Sequence, residues 1–470
     1  MRILHISTRL ILGGSQENTV LSCEGQARMG HRVHLAYGPI YGPEGSLLSR
    51  IEAFNARCRG GDERLEDAAR KFGLSPGGAV CPITVHVVPH MVREVHPWKD
   101  FRCYRQLKVL ISRIGPDVVH THSSKAGVLG RLAAWSVMQA RQKKPSMALA
   151  GTLGRLGLDE GQVQEVQVEG LRGNWVDRPK VIHTIHGPPF MPLEGGAVNR
   201  FKVRVSNAVY TWAERLAATR CHKIVCVADA MREQFLERGI GKKEQYITVY
   251  SGMEVAEFAR EDAIESRKVL RARLGFGESD FVIGTVARLA QHKGHDDVLD
   301  ALSEMIKQDS RVRLLWIGDG WWRERLMDKA ERLGLTYAVR PMDHPANVPQ
   351  VNLVCTGLIP PEQVPSAISA MDVLLHASYR EGLPRTVPQA LLSGVCPIAY
   401  DVDGTGEICR DMETGRLVPK GDIAALQQAV RWCIENPVAR AALAQRGRLV
   451  CLDKFSAQTM VKRLQEVYES

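Results

Sequence analysis

Short β-branched runs of apolar residues alternate along the chain with longer stretches of helical periodicity. This alternation is typical of βαβ units, in which parallel strands are joined by helices that cover the sheet. The pattern occurs twice and predicts two successive sets of strands. The first set comprises 2–7, 31–37, 84–88, 117–122, 180–186, 223–227 and 247–251, and the second comprises 281–287, 312–318, 351–356, 372–376, 396–400 and 415–419.

Two sets of strands predict two α/β domains, since a chain of 470 residues is too long for one compact core. The predicted organisation is an N-terminal domain (1–253), a charged linker without a strong apolar period (254–279), a C-terminal domain (280–452) and a final helix (453–470) that packs back on the N-terminal domain. Three segments interrupt the alternation: 55–80, 139–179 and 341–349. We interpret them as surface loops and assign them no function.

The composition excludes several classes of protein. With 44% hydrophobic and 24% charged residues, the chain is neither disordered nor collagenous nor a coiled coil. Its eleven cysteines contain no C-x-x-C pair, which indicates reduced thiols instead of a disulfide framework or zinc module. The sequence shows no run of 18 apolar residues and no leader pattern at its start, so we expect a cytoplasmic protein.

The net charge of +10 is concentrated in the N-terminal half. Residues 1–250 hold 35 basic and 22 acidic residues, whereas residues 251–470 hold 27 and 30. Aromatic residues make up only 6%, which argues against nucleic acid as the partner. The charge therefore favours an anionic substrate or membrane surface.

Glycine and histidine follow two predicted strands of the N-terminal domain. Gly13 and Gly14 occupy the first βα turn, where exposed backbone amides suit an anion, although the spacing is not the dinucleotide motif G-x-G-x-x-G. A plain tight turn is the alternative. His186 ends the strand before a Gly-Pro break, where it either contacts a substrate hydroxyl or lies in the core.

A second group of polar residues ends the predicted strand 117–122. His120 and His122 fall on the same strand face, so a metal pair is conceivable, but no third ligand has a recognised spacing. Ser123 and Lys125 follow at the edge where ligands bind such sheets. The D-x-D sequence 401–403 is interpreted as a loop, and we expect no metal at either place.

In the C-terminal domain, Arg288 follows the first strand and Lys293 precedes the next helix. Two cations at one sheet edge suit a diphosphate, the arginine through its planar fork and the lysine as a point charge. Glu381 lies in a predicted loop and Gln389 in the following helix. A carboxylate and an amide together can hold the hydroxyls of a sugar and a ribose.

Taken in this order, the motifs resemble those of the GT-B glycosyltransferases, specifically the retaining family GT4, the group 1 glycosyl transferases. The resemblance covers nearly the whole chain. It rests on Gly13-Gly14, the run 120–127, the run 183–187, Arg288 with Lys293-Gly294, and the E-x7-E region at Glu381. It implies an α/β GT-B fold in which two Rossmann-like parallel-sheet domains face each other across a cleft.

The resemblance also implies roles for these residues in binding a UDP- or GDP-sugar without a cofactor or an essential metal. The implied donor site comprises Gly13, Gly14, Arg288, Lys293, Glu381, Gly382, Leu383 and Gln389; the implied catalytic residues are His186, Arg288, Lys293 and Glu381; the acceptor-side candidates are His122, Ser123 and Lys125. One position departs from the family pattern, because Gln389 stands where a second glutamate usually binds the ribose. We expect donor binding to survive with altered strength or preference.

The resemblance implies transfer of a hexosyl group to a glycan or lipid-linked acceptor, as in cell-surface polysaccharide synthesis. A sugar-nucleotide epimerase and a catalytically silent nucleotide-sugar binding protein stay open as alternatives. One predicted helix either contacts anionic lipid at the inner membrane face or packs as an ordinary core helix. Its apolar positions are Cys103, Leu107, Leu110, Ile111 and Ile114, beside the basic residues Arg102, Arg105 and Lys108.

Overall fold

The computed structural model describes residues 1–40, 45–62, 65, 79–156, 179–188, 190, 197–259, 263–346 and 348–470. The chain divides into two compact units. The first comprises Met1–Val227, Arg232–Val249 and Met460–Ser470, and the second comprises Ala228–Met231 and Tyr250–Thr459. The end of the chain therefore belongs with the first unit.

The first unit is built on seven parallel strands. They are β1 (Arg2–Ser7), β2 (Arg32–Tyr37), β3 (Thr84–Val87), β4 (Val118–His122), β5 (Lys180–Ile185), β6 (Lys223–Cys226) and β7 (Tyr246–Thr248). Their order in the sheet is β3-β2-β1-β4-β5-β6-β7. The central strands are buried over almost their whole length, as expected where helices cover both faces of a parallel sheet.

Helices of the first unit connect these strands. They are α1 (Gly14–Arg28), α2 (Leu48–Gly60), α3 (Pro97–Ile114), α4 (Ser124–Leu156) and α5 (Ala197–Ala218). Helix α4 packs against both α3 and α5. A buried ion pair of 2.6 Å joins Arg131 of α4 to Glu214 of α5. Because an unpaired charge would be costly at these buried positions, the pair fixes the two helices together.

The second unit is built on another seven-stranded parallel sheet. Its strands are β8 (Phe281–Val286), β9 (Val312–Ile317), β10 (Tyr337–Val339), β11 (Leu353–Cys355), β12 (Val373–His376), β13 (Cys396–Tyr400) and β14 (Arg416–Val418). The order is β10-β11-β9-β8-β12-β13-β14. Trp316 of β9 is fully buried in its hydrophobic core.

The remaining helices surround the second sheet or cross between the units along the chain. They are α6 (Asp229–Glu237), α7 (Val255–Phe258), α8 (Ala263–Leu274), α9 (His295–Gln308), α10 (Arg323–Arg332), α11 (Val364–Ser369), α12 (Thr386–Leu392), α13 (Ile423–Glu435), α14 (Pro437–Lys454) and α15 (Ala457–Glu469). Two of them, α6 and α15, begin in the second unit and end in the first. Within the described residues, no helix has the length and apolar content needed to cross a bilayer.

Every strand predicted from the sequence has a counterpart in the structure, which confirms the α/β class with two parallel sheets. Strand β10 was not predicted, because three residues at a sheet edge are too short to show a period. The predicted surface segments 55–80 and 139–179 lie partly outside the described residues, and α4 continues through the latter as far as residue 156. All eleven cysteines are free thiols.

Candidate functional site

The polar residues predicted in the second domain gather at the carboxyl edge of its sheet. Arg288 and Lys293 follow β8, and Glu381 follows β12. Strands β8 and β12 are parallel neighbours, so the loops that leave them emerge side by side. The structure thus brings together a lysine and a glutamate that lie far apart in the sequence, with the Lys293 Nζ atom 2.5 Å from the Glu381 Oε1 atom.

A histidine completes the surroundings of the Glu381 carboxylate. The Nε2 atom of His376, the last residue of β12, lies 3.1 Å from Glu381 Oε1. The backbone amide of Glu381 donates a hydrogen bond of 2.7 Å to Asp403 Oδ2, which anchors the loop behind the carboxylate. The sequence predicted that residues 401–403 form a loop. In the structure, Asp403 of this segment holds the backbone of Glu381 in place.

The protonation state of Glu381 follows from these contacts. Burial alone would raise the pKa of this carboxyl group, but the Lys293 ammonium and the His376 ring together hold the pKa well below its ordinary value. Glu381 is consequently a carboxylate at neutral pH. It can accept hydrogen bonds from hydroxyl groups, and it has no proton to give.

Glycines keep the backbone bare beside this constellation. Gly294 precedes α9 with a φ of +69°, and a Cβ atom there would lie 1.9 Å from the Ala377 carbonyl oxygen. Gly318, after β9, has a φ of +134°, and a Cβ atom would lie 2.2 Å from the Ala287 carbonyl oxygen. Neither loop could keep its position if a residue with a side chain replaced its glycine.

The other predicted donor-binding residues of this unit lie on the same loops and on α12. The guanidinium of Arg288 lies 5.7 Å from the ring centre of Trp321, which is exposed. The Gly382 carbonyl oxygen accepts a hydrogen bond of 3.1 Å from the backbone amide of Gly404, while Leu383 is buried. Gln389 is a buried residue of α12.

In the first unit, the glycine pair opens the first helix. Gly13 has an extended backbone at the start of α1, and its carbonyl oxygen accepts a hydrogen bond of 2.9 Å from the Glu17 amide. Gly13 and Gly14 are both exposed. The turn therefore presents bare backbone after β1.

His186 and His122 meet at the carboxyl edge of β4 and β5. The Nδ1 atom of His122 lies 3.0 Å from the Nε2 atom of His186. His186 is partly exposed, but His122 is only 1% exposed and lies behind it. An acceptor cannot reach His122 in this arrangement, so the sequence-based prediction of His122 as an acceptor-side residue is revised to a residue that supports His186.

Ser123 and Lys125 are held by neighbouring groups of the first unit. Ser123 has a positive φ of 62°, and its Oγ atom lies 2.8 Å from the Oγ1 atom of Thr8. The Lys125 Nζ atom forms an ion pair of 2.5 Å with Asp100 Oδ1 and donates to the Glu94 carbonyl oxygen. Both residues thus help to fix the loop after β4.

Sequence reasoning missed the residues that lie behind His186. His5 is aligned with His120 in the parallel pair of β1 and β4, and its Nδ1 atom lies 2.9 Å from His122 Nε2. Gln26 and Tyr468 continue the contacts from His5 and His120. The position of His5 near the end of β1 was a usable signal, because strand ends of adjacent parallel strands meet at one edge.

Three of these imidazoles, on His5, His120 and His122, offer nitrogen atoms within 4.8 Å of one another, a spacing that could hold a metal ion. From the sequence, only His120 and His122 were candidates for a metal pair, and we expect no metal there. In the structure, both ring nitrogens of each histidine have a protein partner at 2.6 to 3.0 Å. A metal would have to replace several of these hydrogen bonds.

Family models match both parts of the chain. The model described as "Glycosyl transferase 4-like domain" matches residues 13–156, and the model described as "Glycosyl transferases group 1" matches residues 280–436. The chain is 22% identical over 390 residues to the capsular polysaccharide biosynthesis glycosyltransferase CapM of Staphylococcus aureus, covering 82% of this chain and 84% of CapM. It is 23% identical over 383 residues to the UDP-Gal:alpha-D-GlcNAc-diphosphoundecaprenol alpha-1,3-galactosyltransferase of Escherichia coli, covering 81% and 82% of the two proteins.

Solved structures resemble this fold over their whole length. HepE of Anabaena, in complex with UDP and glucose, superposes with a TM-score of 0.68 at 17% identity and full coverage of both chains. The glycosyltransferase WaaG, involved in lipopolysaccharide biosynthesis, gives a TM-score of 0.64 at 14% identity, covering 100% of this chain and 99% of WaaG. At such identities the likeness concerns the fold, and it confirms the predicted GT-B class.

Proposed function

Because the chain belongs to the group 1 glycosyltransferases, we propose that it moves a hexosyl group from a UDP- or GDP-sugar to a hydroxyl of a glycan or lipid-linked acceptor. We place the reaction in the synthesis of a cell-surface polysaccharide, because the name of CapM refers to capsular polysaccharide biosynthesis. The observation that carries the proposal is the constellation of Arg288, Lys293 and Glu381 at one sheet edge. It offers cations for a leaving diphosphate beside an ionised carboxylate for a sugar.

Lys293 can donate hydrogen bonds to the Glu381 carboxylate and to a diphosphate at the same time. A lysine ammonium has three N–H donors, and the contact with Glu381 uses one of them. Arg288 adds a planar fork that matches two phosphate oxygens. Negative charge grows on the diphosphate as the glycosidic bond breaks, so cations already in place stabilise the transition state more than the bound substrate.

Glu381 and the backbone beyond it are proposed to hold the donor sugar. The carboxylate is ionised, and Asp403 accepts a hydrogen bond from the backbone amide of Glu381, so the fixed carboxylate oxygens can accept hydrogen bonds from two sugar hydroxyls. Gln389 is proposed to bind the ribose through its amide, in place of the usual glutamate. The bare backbone at Gly13 and Gly14 is proposed to lie under the phosphate and sugar.

We further propose that the anomeric configuration is retained and that no metal is essential. The bond between the anomeric carbon and the diphosphate oxygen breaks, and its electron pair leaves with the nucleoside diphosphate. The acceptor hydroxyl attacks from the same face, and its proton passes to the departing phosphate. His186 contacts the sugar near the reacting carbon. Since Arg288 and Lys293 supply positive charge at the diphosphate, they can take the part that a divalent metal plays elsewhere.

Contact with an anionic membrane is proposed through an exposed apolar stripe on α5. Phe201, Val205, Val209 and Trp212 recur every three or four residues on one face of this helix, with exposed fractions of 68%, 48%, 59% and 66%. Exposed basic residues flank the stripe: Arg200, Lys202, Arg204 and Arg215. Apolar side chains beside cations suit the headgroup region of an anionic bilayer.

For helix α3, the sequence left lipid contact and ordinary core packing open. Its apolar positions Cys103, Leu107, Ile111 and Ile114 are buried in the core, which confirms the ordinary core-packing alternative for that face. Lipid could meet only its outer side, where Trp98 and Phe101 are exposed. The α3 side carries Arg102, Arg105 and Lys108 as well. We therefore assign the membrane contact to α5 and the outer side of α3.

A donor screen tests the proposed activity. Purified protein is incubated with UDP- and GDP-linked hexoses, with and without a membrane extract as acceptor, and released nucleotide and labelled glycan are measured. Transfer supports the proposal, whereas conversion of the donor into an isomer without nucleotide release supports the epimerase. Binding of a donor without any turnover supports the silent binding protein. For a substitution of Lys293, Lys329→Ala is the matched control, because Lys329 pairs with Asp296 and Asp300 within the same unit.

A further inference from the structure

A continuous network of buried hydrogen bonds lies behind His186 in the first unit. We call it the histidine network and define it by its seven residues in order: His186, His122, His5, Gln26, Tyr468, His120 and Thr184. The links are 3.0, 2.9, 2.7, 2.9, 2.6 and 2.6 Å long. Every member except His186 is buried.

The direction of these hydrogen bonds is set by the Gln26 amide. Its Nε2 group donates to the Tyr468 hydroxyl, and its Oε1 atom faces His5 Nε2. Because a carbonyl oxygen only accepts, His5 must carry its proton on Nε2 and present a bare Nδ1.

The same logic passes from ring to ring. His5 Nδ1 accepts from His122 Nε2, so the bare nitrogen of His122 is Nδ1. His122 Nδ1 in turn accepts from His186 Nε2. On the other side, the Tyr468 hydroxyl donates to His120 Nδ1, and His120 Nε2 donates to the Thr184 hydroxyl oxygen. One proton on each ring satisfies all six links.

Neutral rings are also what burial favours. Removal from water lowers the pKa of His5 to about 4 and lowers those of His120 and His122 well below the ordinary value. A neutral imidazole has one donor and one acceptor, which is what each link requires. The network is therefore complete without a bound ion.

We propose that the histidine network fixes His186 as the Nε2–H tautomer, so that its Nδ1 atom accepts a hydrogen bond from a hydroxyl of the bound sugar. His122, His5, Gln26 and Tyr468 are then positioning residues that act through His186. This inference rests on the proposed function for the identity of the ligand. It adds that His186 works as a neutral acceptor, since a ring that is held in one tautomer can discriminate a hydroxyl donor from a carbonyl or phosphate oxygen.

The tautomers can be measured directly in the full-length protein. Histidine labelled with 15N in the ring gives two-bond 15N–1H correlations that distinguish the two neutral tautomers from imidazolium, and single His→Gln variants assign the signals. We expect the Nε2–H form for His5, His120, His122 and His186. The Nδ1–H form or imidazolium at His186 would overturn the proposal, as would a stoichiometric transition metal on the network in the isolated protein.

Two substitutions interrupt the network away from His186. Gln26→Leu removes the group that sets the direction, and Tyr468→Phe removes the hydroxyl that the amide needs. Either variant is expected to turn His186 into a mixture of tautomers and to lower kcat/KM for transfer about tenfold, the worth of one well-placed hydrogen bond. Tyr246→Phe is the matched control, because it removes a buried hydroxyl that donates to the Ile240 carbonyl oxygen in the same unit.

The outcomes separate this inference from the proposed function. An unchanged His186 tautomer in both folded variants contradicts the inference, whatever the activity. A protein that turns over no sugar donor contradicts the proposed function, while the spectra still decide whether the network orients His186. Should Gln26→Leu fail to fold, Tyr468→Phe decides, since it preserves the ring and its packing.

Discussion

Lys293 and Glu381, 88 residues apart in the sequence, form an ion pair of 2.5 Å at the carboxyl edge of the second sheet. Both side chains are mostly withdrawn from water, with exposed fractions of 19% and 14%. Such a pair is worth little for stability by itself, because desolvation offsets much of the attraction. Its value lies in placing a cation and an ionised carboxylate side by side before a substrate arrives.

Lys293→Ala should strongly impair transfer. The variant loses a charge-assisted donor to the leaving diphosphate and leaves Glu381 without its cation. We therefore expect transition-state stabilisation to weaken by about 2 to 4 kcal/mol, which lowers kcat/KM roughly 30- to 1,000-fold. Steady-state nucleotide release measures the change. Lys329→Ala should stay within about twofold of the parent enzyme. Near-parental transfer by Lys293→Ala would contradict the diphosphate assignment.

Glu381→Gln tests the carboxylate with almost no change of shape. The amide cannot accept hydrogen bonds at both of its terminal atoms and carries no charge. We therefore expect transition-state stabilisation to weaken by about 2 kcal/mol, which lowers kcat/KM roughly 30-fold. Glu413→Gln is the matched control, because Glu413 pairs with Arg410 at an exposed position of the same unit. Equal transfer by the two variants would argue against a sugar contact at Glu381.

The buried histidines predict a loss of stability in mild acid. The pKa of His5 is lowered by burial from 6.5 to about 4. Between pH 6.5 and pH 4, the unfolded chain therefore binds a proton at this ring that the folded protein does not bind. Stability from this ring is therefore complete above pH 6.5 and declines towards pH 4, by roughly 3 kcal/mol in all.

Chemical unfolding of the parent protein and of His5→Gln between pH 7.5 and about 4.5 measures this effect. The variant should lose stability less steeply with falling pH, by up to about 1.4 kcal/mol per pH unit for the one missing proton. His34→Gln provides a positive control outside the network, since His34 contacts His86 and its pKa is lowered to about 4 as well, so its removal should flatten the pH profile in the same way. Parallel pH profiles of the parent and His5→Gln would contradict a neutral buried His5.

The stripe on α5 predicts salt-sensitive binding to anionic vesicles. Phe201→Ser with Trp212→Ser removes two exposed apolar side chains, so we expect binding to vesicles rich in phosphatidylglycerol to weaken roughly tenfold or more. Val438→Ser with Leu449→Ser is the control, because both residues are exposed on α14. Co-sedimentation at low and high salt measures the difference. Binding that is indifferent to salt, or equally weakened in the control, would contradict the assignment.

The sequence predicted the two sheets well because parallel strands buried on both faces carry an unmistakable apolar signal. It also indicated Arg288, Lys293 and Glu381, since each follows a strand at the edge where ligands bind. It missed His376 and His5, whose meaning depends on which strands lie side by side. The sequence did predict that the final helix returns to the N-terminal domain, but the contact of Tyr468 with His120 depends on side-chain packing that no sequence pattern shows.

The role of His122 shows the same limit in one residue. Its place at the end of β4 suggested a substrate contact, but strand parity alone does not reveal which side chain of the edge reaches the surface. Packing decides this, and the structure buries His122 behind His186. The sequence left two alternatives open for α3 for a related reason, because an amphipathic helix shows the same period whether its apolar face meets lipid or a core, and the structure places that face in the core.

The central claim is retaining sugar transfer from a nucleotide donor, and NMR of the anomeric signals during turnover tests it most directly. A donor selected by the screen is incubated with the enzyme and the acceptor, and nucleotide release is followed in the same sample. We expect a product whose anomeric configuration matches that of the donor, formed in an amount equal to that of the released nucleoside diphosphate. An inverted product, or an isomerised donor without nucleotide release, would contradict it.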